Sequence, residues 1–457
     1  MTYADTICAI ATPSGEGGIG IIRLSGAQAL PIATRIFQPH RAGAVRSHRV
    51  RYGRIVDPDT GTVVDEALLT YMRAPRSFTC EDVIELSCHG GAMPVQRTLA
   101  LALAGGARLA EPGEFTLRAF LNGRIDLSQA EATLDVIRAQ TSTSLALAQA
   151  QLGGWLAQTI RTIRADLLNS LAYLTATLDF PEDEIEVADI TPDLARSLAA
   201  VQQLLATADQ GQIYRQGARA VLVGRPNAGK SSLLNALLRH ERAIVTPIAG
   251  TTRDTLEETA NIGGIPVVLI DTAGITASDD PVEQIGVARS QAALAAADLV
   301  LLVLDSTQPV SPEAAAIATL SFAKPTLLVW SKADLRGAAP LPDLPFTHPQ
   351  LLATVETSVV AATGLDALNA AITQALLGGA PAVAGGNLYL VTNPRHRDAL
   401  ARASARLTAA VQQWATIPPD MIAGDLTAAL NALGEVTGDV VGDDLLDAIF
   451  SRFCIGK

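Results

Sequence analysis

Gly224-Arg225-Pro226-Asn227-Ala228-Gly229-Lys230-Ser231 is a complete G-x-x-x-x-G-K-S phosphate loop. It follows the apolar run Ala220-Val221-Leu222-Val223 and opens the helical pattern Leu233-Leu234-Asn235-Ala236-Leu237. That is the strand–loop–helix context the motif requires. The glycines let backbone N–H groups turn in around phosphate oxygens, and the helix N-terminus adds the positive end of its dipole. Lys230 is placed for the β- and γ-phosphates and the Ser231 hydroxyl for Mg²⁺. Asn227, Ala228, Gly229 and Ser232 complete the expected cradle.

The stretches downstream decide which nucleotide is bound. Asp271-Thr272-Ala273-Gly274 follows a second buried strand, Val267-Val268-Leu269-Ile270. An Asp at a strand end followed by a glycine N–H is the metal-and-switch element of phosphate-loop GTPases. Between the two lies Thr246, Pro247, Ile248, Ala249, Gly250, Thr251 and Thr252. Thr252 is placed to close over Mg²⁺ when the γ-phosphate is present. Two further strands follow, Leu299 to Asp305 and Thr326 to Trp330, and the second ends at Ser331-Lys332-Ala333-Asp334. The Asp334 carboxylate can accept from guanine N1–H and the exocyclic amine, which adenine cannot supply. Two positions depart from the usual pattern. Ser331 stands where an Asn is common. Ser358, placed to back up the base, is followed by Val359-Val360 in place of Ala-Arg or Ala-Lys. Both departures predict weaker or less selective guanine binding.

The 457 residues suffice for two to four domains, each able to bury a core. With 46 acidic against 34 basic residues and 4% aromatics, the chain lacks the overall basic footprint of an unaided nucleic-acid binder. RNA contact would need local patches or a partner. The four cysteines, Cys8, Cys80, Cys88 and Cys454, fit a reducing compartment better than a disulfide framework. Cys80 and Cys88 lack zinc-finger spacing and read as buried small apolar residues. No signal peptide is evident and no apolar run is long enough to span a membrane, so the location expected is the cytoplasm.

Short strands and glycine turns give residues 1–120 an α+β character. Residues 121–215 read as long amphipathic helices, broken mainly at Gly153-Gly154 and by the acidic stretch Pro181 to Ile185. Residues 216–378 form the α/β phosphate-loop domain, Gly378 to Gly386 reads as linker, and helices resume from Pro394 to the end of 379–457. A helical domain split by an inserted α/β domain is the economical arrangement.

The chain resembles the MnmE (TrmE) family of bacterial tRNA-modification GTPases, nearly end to end. The resemblance rests on Ala11-Thr12-Pro13, Gly17 to Gly20, Pro112-Gly113-Glu114-Phe115, Ala119 to Gly123, the GTPase motifs, and the terminal Phe453-Cys454-Ile455-Gly456-Lys457. It implies a folate-binding, dimerising α+β N-terminal domain, a mostly α-helical central domain and an inserted Ras-like G domain. It implies joint work with the flavoprotein MnmG in a heterotetramer-type complex, FAD residing only in that partner. Together they would add an aminomethyl-type (carboxymethylaminomethyl) group to C5 of the wobble uridine of certain tRNAs. The one-carbon unit would come from a 5-formyl or methylene tetrahydrofolate.

The resemblance also assigns residues. A Ras-type switch orients water with a Gln where this chain has Ile275, so Glu283 becomes the candidate catalytic acid. Asn227, Thr246, Ile248 and Thr251 match the family's potassium loop. Arg23, Glu81, Arg124 and Lys457 match its folate contacts, with Arg124 where Lys is common, and Cys454 could act chemically nearby. On the residues alone, Arg23 reads as a surface ion pair. Arg395, Arg402 and Arg406 share a helical face that is more readily solvated than bound to RNA. Two alternatives stay open: a ribosome-assembly or RNA-binding GTPase switch, and a folate-binding enzyme with vestigial GTP turnover.

Overall fold

In the computed structural model, residues 5–13, 15–179, 189–240, 258–272, 291–380 and 388–457 are described. They fall into two compact units, residues 1–134 with 433–457, and residues 135–432.

The first unit is built on a seven-stranded sheet in the order β3-β4-β5-β6-β2-β1-β7. Its strands are β1 (Ile7–Ile10), β2 (Gly17–Ser25), β3 (Phe37–Pro39), β4 (Val50–Val56), β5 (Val63–Met72), β6 (Val83–Gly90) and β7 (Arg108–Leu109). Along β2 the pattern alternates: Ile22 and Leu24 are buried with Ile84 and Leu86 of β6, while Arg23 lies on the other face. Helices Ala29–Ile36 and Ala92–Ala104 contribute Ile32, Ile36 and Ala102 to the same core. The antiparallel register sets Arg23 opposite Glu85. A smaller core joins Leu127, Ala130 and Leu134 to Ile449, Phe450 and Phe453 near the chain's end.

The second unit carries a six-stranded sheet, β13-β12-β11-β8-β10-β9. Its strands are β8 (Ala218–Val223), β9 (Glu258–Ile262), β10 (Ile265–Asp271), β11 (Leu299–Asp305), β12 (Thr326–Ser331) and β13 (Leu351–Glu356). All pair in parallel except β9, which is antiparallel to β10. A parallel sheet covered on both faces needs continuous apolar strands, and Leu299 to Leu304 is such a run, buried throughout. Strand order reverses beside β8, which puts a crevice at the carboxyl ends of the strands, where such sheets bind ligands. The phosphate loop leaves β8 there.

The helical part of this unit includes Ser142–Leu152, Trp155–Asp179, Thr191–Ala206, Ala208–Gln216 and Pro394–Gln413. The expected break falls at Gly153-Gly154, between the first two of these helices. Helices on either side of the α/β segment pack together, Thr191–Ala206 against Pro394–Gln413. Leu147, Tyr214 and Leu390 join the core formed by β8, β10 and β11. Among the described residues no helix is long and apolar enough to cross a membrane. The acidic stretch 181–185 lies outside the described residues.

Candidate functional site

The phosphate loop has the backbone its sequence demands. Gly224 has φ +151°, and a Cβ there would stand 2.3 Å from the Val303 carbonyl oxygen of β11. Asn227 adopts the left-handed region at φ +62°, turning the loop back toward helix Lys230–His240. Lys230 is buried, and its Nζ donates to the Gly224 and Arg225 carbonyls at 2.9 and 3.0 Å. Burial lowers its pKa against the opposing pull of Asp271. The ammonium is thus held across the loop's mouth on carbonyls it can exchange for phosphate oxygens.

Ser231 Oγ donates to Asp271 Oδ2 at 2.6 Å. The other carboxylate oxygen, Oδ1, is buried with no hydrogen-bond partner among the described residues. A hydroxyl and an unsatisfied carboxylate side by side form a hard oxygen donor set that fits Mg²⁺. Thr272 follows, its Oγ1 donating to the Leu222 carbonyl at 2.7 Å and fixing β10 to β8.

At the base end, the buried Ser331 hydroxyl lies 2.6 Å from the Ala228 carbonyl and 3.0 Å from that of Leu304, donating to them. The short side chain therefore ties the phosphate loop to the ends of β11 and β12. Lys332 sits in the left-handed region, φ +56°, with Nζ 2.7 Å from Asp305 Oδ2. Burial would raise the Asp305 pKa, but hydrogen bonds from Lys332 and Thr307 outweigh it and lower it. Ala333 N–H donates to the Thr357 carbonyl at 3.1 Å. The buried Ser358 donates to Asp334 Oδ1 at 2.5 Å and accepts from the Ala361 N–H at 3.0 Å. Val359 lines a cavity of about 420 Å³ with Ser232, Asn235 and Arg239, and Val360 is 89% exposed. Sequence reasoning missed Asp305 as the anchor of Lys332; the carboxylate closing the β11 run was the available signal.

Thr246, Pro247, Ile248, Ala249, Gly250, Thr251, Thr252, Ala273, Gly274 and Glu283 lie outside the described residues, as does Ile275.

The first unit gathers the other candidates from distant parts of the chain. Arg23 Nε donates to Glu85 Oε1 at 2.9 Å, and its Nη1 to the Gly456 carbonyl at 3.2 Å. The ion pair read from sequence is present, and the chain's tail completes it. The tail is seated by a bridge between Pro112 and Ile455. Gly456 has φ +97°, and a Cβ there would stand 2.3 Å from the Ile10 carbonyl oxygen, so only glycine lets the tail lie this close. Lys457 follows directly, and Cys454 is exposed. The P-G-E-F motif and the terminal motif, read separately in sequence, are thus one structure.

Glu81 accepts from Ser25 Oγ at 2.7 Å on Oε2, and Arg118 Nη1 lies 3.3 Å from both of its oxygens. Arg118 is 1% exposed and also meets Asp5 at 2.7 Å and Glu114 at 2.9 Å. Arg124 donates to the Ser77 carbonyl at 2.8 Å, with its guanidinium 5.7 Å from the Phe78 ring centre. Arg23 stands 5.8 Å from the Phe115 ring centre, and Phe78 packs on the small core that holds Phe115. Sequence reasoning missed Arg118 and Phe78. Arg118 stands four residues after Glu114, a helical ion-pair spacing that gave a signal; Phe78 gave none. Cys88 is buried as expected, but Cys80 is not: it is half-exposed, at φ +60°, immediately before Glu81. Arg402 and Arg406 are paired with Asp398 and Asp425, in keeping with a solvated face.

Comparison with known proteins gives two family models, "GTP-binding protein TrmE N-terminus" over residues 6–124 and "MnmE helical domain" over residues 127–454. A "tRNA modification GTPase MnmE" of Chloroflexus aurantiacus is 64% identical over 455 residues, covering 99% of this chain and 100% of that one. Its namesake in Roseiflexus castenholzii is 58% identical, with 100% of each chain covered. Among solved structures, an Aquifex aeolicus Era variant bound to GDP·AlF₄⁻ is 28% identical over 41% of this chain and 66% of its own, with a TM-score of 0.29.

Proposed function

The chain belongs to the MnmE family of tRNA modification GTPases, and from that premise we propose that it is a potassium-dependent GTPase of wobble-uridine modification. It works in the cytoplasm as a homodimer joined through its N-terminal domain, together with the flavoprotein MnmG. The pair adds an aminomethyl-type group to uridine C5 of certain tRNAs from a folate one-carbon unit. The division at residues 120, 215 and 378 belongs to the same reading.

The observation that carries it is the meeting of two motifs from opposite ends of the chain. The terminal Cys454–Lys457 segment lies in the cradle made by β1 and the P-G-E-F turn, beside Arg23. A GTPase acting only as a switch has no use for this second polar cluster. Glu81 is the one acceptor among the four candidates and suits the N–H edge of a pterin. Arg23, Arg124 and Lys457 suit a folate's carboxylates.

In the G domain, bound Mg²⁺ would supply charge neutralisation at the β- and γ-phosphates. Ser231 and Thr252 would hold it, with Asp271 aligning the Ser231 hydroxyl. Lys230 leaves the loop carbonyls for phosphate oxygens, and Asp334 accepts from the guanine edge. Asn227, Thr246, Ile248 and Thr251 would hold the monovalent cation, and Glu283 would orient water. Faster GTP hydrolysis in K⁺ than in Na⁺, lost in Asn227→Ala, supports the cation role; equal rates sink it. Mass spectrometry of wobble uridines from a strain lacking the chain tests the whole. Loss of the C5 group is expected, and unchanged uridines with defective ribosomal particles would favour the assembly switch.

A further inference from the structure

Between Glu16 and Asp57 the chain has seven arginines and no acidic residue, although its net charge is −12. Five of them, Arg41, Arg46, Arg49, Arg51 and Arg54, fall within fourteen residues that form β4 and the loop before it. The fold fixes this loop. Arg51 donates to the carbonyls of Gly43 and Ala44 at 3.0 and 2.9 Å and to that of Arg41. At its other end His48 N–H donates to the Tyr71 carbonyl at 2.6 Å, and Ser47 Oγ accepts from Arg73 N–H at 3.0 Å. Arg41, Arg46 and Arg49 are exposed, and none has an acidic partner among the described residues. Arg54 is paired, with Glu66 at 3.6 Å. On the same edge Tyr52 is 49% exposed, with the His40 ring 5.7 Å away.

We propose that this basic loop and strand edge is a contact surface for the phosphate backbone of tRNA. The proposal rests on the reading that the chain acts on tRNA. An acidic protein approaches a polyanion against its own field, so the attraction must be concentrated where basic groups outnumber acids, as they do here with Glu66 paired to Arg54 and Tyr52. Exposed guanidiniums on a backbone already anchored by Arg51 lose little freedom on meeting phosphates, which they bind bidentately. Tyr52 and His40 offer flat faces on which an unpaired base can stack. The contacts read charge and shape, so they serve tRNAs of differing sequence.

The test uses the full-length protein and fluorescently labelled tRNA, titrated over a range of salt. Replacing Arg41, Arg46 and Arg49 by Gln should lower affinity at least tenfold at low salt. It should also flatten the slope of log affinity against log salt by about one per residue. The triple Lys variant keeps the charge and should keep most of the slope. GTP hydrolysis without tRNA and folate binding should stay at wild-type level, which excludes misfolding as the cause. Wild-type tRNA affinity and slope in the Gln variant would overturn this surface. So would loss of binding to an acidic protein partner with tRNA binding intact. No tRNA binding by the wild-type chain would overturn the functional reading as well.

Discussion

The base end of the nucleotide site and the pocket around Glu81 use one device with unequal support. In each, a serine hydroxyl donates to one carboxylate oxygen: Ser358 to Asp334 at 2.5 Å, and Ser25 to Glu81 at 2.7 Å. On the proposed reading both carboxylates face the same chemistry, since guanine and a pterin each present a ring N–H beside an amino group. Their supports differ. Asp334 stands just past β12, and the strand end, the Lys332–Asp305 pair and the Thr357 carbonyl fix its backbone. Glu81 stands in a loop, after a non-glycine residue in the left-handed region, and a buried arginine grips both of its oxygens. Both carboxylates follow a non-glycine residue in the left-handed region, Lys332 at φ +56° and Cys80 at φ +60°. The difference is that Lys332 is itself anchored on Asp305, whereas at Glu81 a buried charge holds the carboxylate directly.

The sharpest way to break this contrast is Arg118→Gln. The substitution takes from Glu81 its cation, while Asp5 and Glu114 keep Arg108 at 2.8 and 2.6 Å. Removing one partner of a buried ion pair costs up to about 3–5 kcal/mol. The loss should appear as faster hydrogen exchange across residues 5–134, with nucleotide binding by the second unit unchanged. Equal protection in the variant would mean that the loop carries itself. Acid should act on the same network. Burial pushes the Glu114 carboxyl up, but hydrogen bonds from Arg108, the Glu111 N–H and Arg118 outweigh it, and the net shift is downward. A depressed carboxyl contributes stability above its unfolded pKa and loses it as pH falls through the folded value. Protection of this unit should therefore fall below about pH 4.5, the ordinary value for Glu, and Glu114→Gln should flatten that dependence.

Next in size are the carboxylates themselves. Asp334→Asn and Glu81→Gln each replace an anionic acceptor by an amide of the same shape. Hydrogen bonds to charged groups contribute about 1.5–3 kcal/mol, so each variant should bind its own ligand roughly ten- to hundredfold more weakly and the other's normally. Asp334→Asn should also shift preference toward xanthine nucleotides, whose N1–H and O2 suit an amide. Titration with GDP, XDP and 5-formyltetrahydrofolate reads both. If Glu81→Gln leaves folate affinity intact, the pairing of the two sites fails.

The two sites were not equally legible, for a physical reason. A phosphate loop is contiguous, and the buried parallel strands around it spell themselves as apolar runs, so Gly224 to Ser231, Asp271 and Asp334 could be placed by spacing. The first unit's cluster is assembled by the sheet: Arg23 meets the Gly456 carbonyl from 433 residues away. No local pattern encodes that contact, and only resemblance pointed to it. Arg118 was hidden by its burial, because an arginine in sequence reads as surface. The role of Ser331 was half visible: the missing amide could be read, the tie to Ala228 could not.

Smaller effects separate the two serines. Removing a hydroxyl donor costs about 0.5–1.5 kcal/mol. Ser358→Ala takes away the only side-chain donor that Asp334 has among the described residues, and it also frees the Ala361 N–H. Its effect on GDP affinity should reach the upper end, about tenfold. Ser25→Ala leaves Arg118 on both oxygens of Glu81, and folate affinity should fall only about two- to threefold. Equal losses would show that Arg118 provides bulk charge and no positioning.

The smallest expected effect is that of Ser331→Asn. Sequence reasoning treats Ser331 as a loss, since the shorter side chain cannot donate and accept across the span of an amide. The structure gives the serine a role of its own: its hydroxyl, buried and 2.6 Å from the Ala228 carbonyl, holds the loop. What remains to be gained is one contact toward the base, worth about 0.5 kcal/mol, the lower end for a hydrogen bond, or roughly twofold in affinity. Against this stands the space available. A Cβ on Gly229 would be 3.5 Å from Ser331, ordinary contact distance, so the longer amide must fit against a loop already resting on this residue. We expect tighter GDP binding with ADP binding unchanged, measured by titration with both labelled nucleotides. Unchanged GDP affinity would mean that Asp334, fixed by Ser358 and its strand end, reads guanine without help. Asp334 would then need less support than its contrast with Glu81 already assigns it.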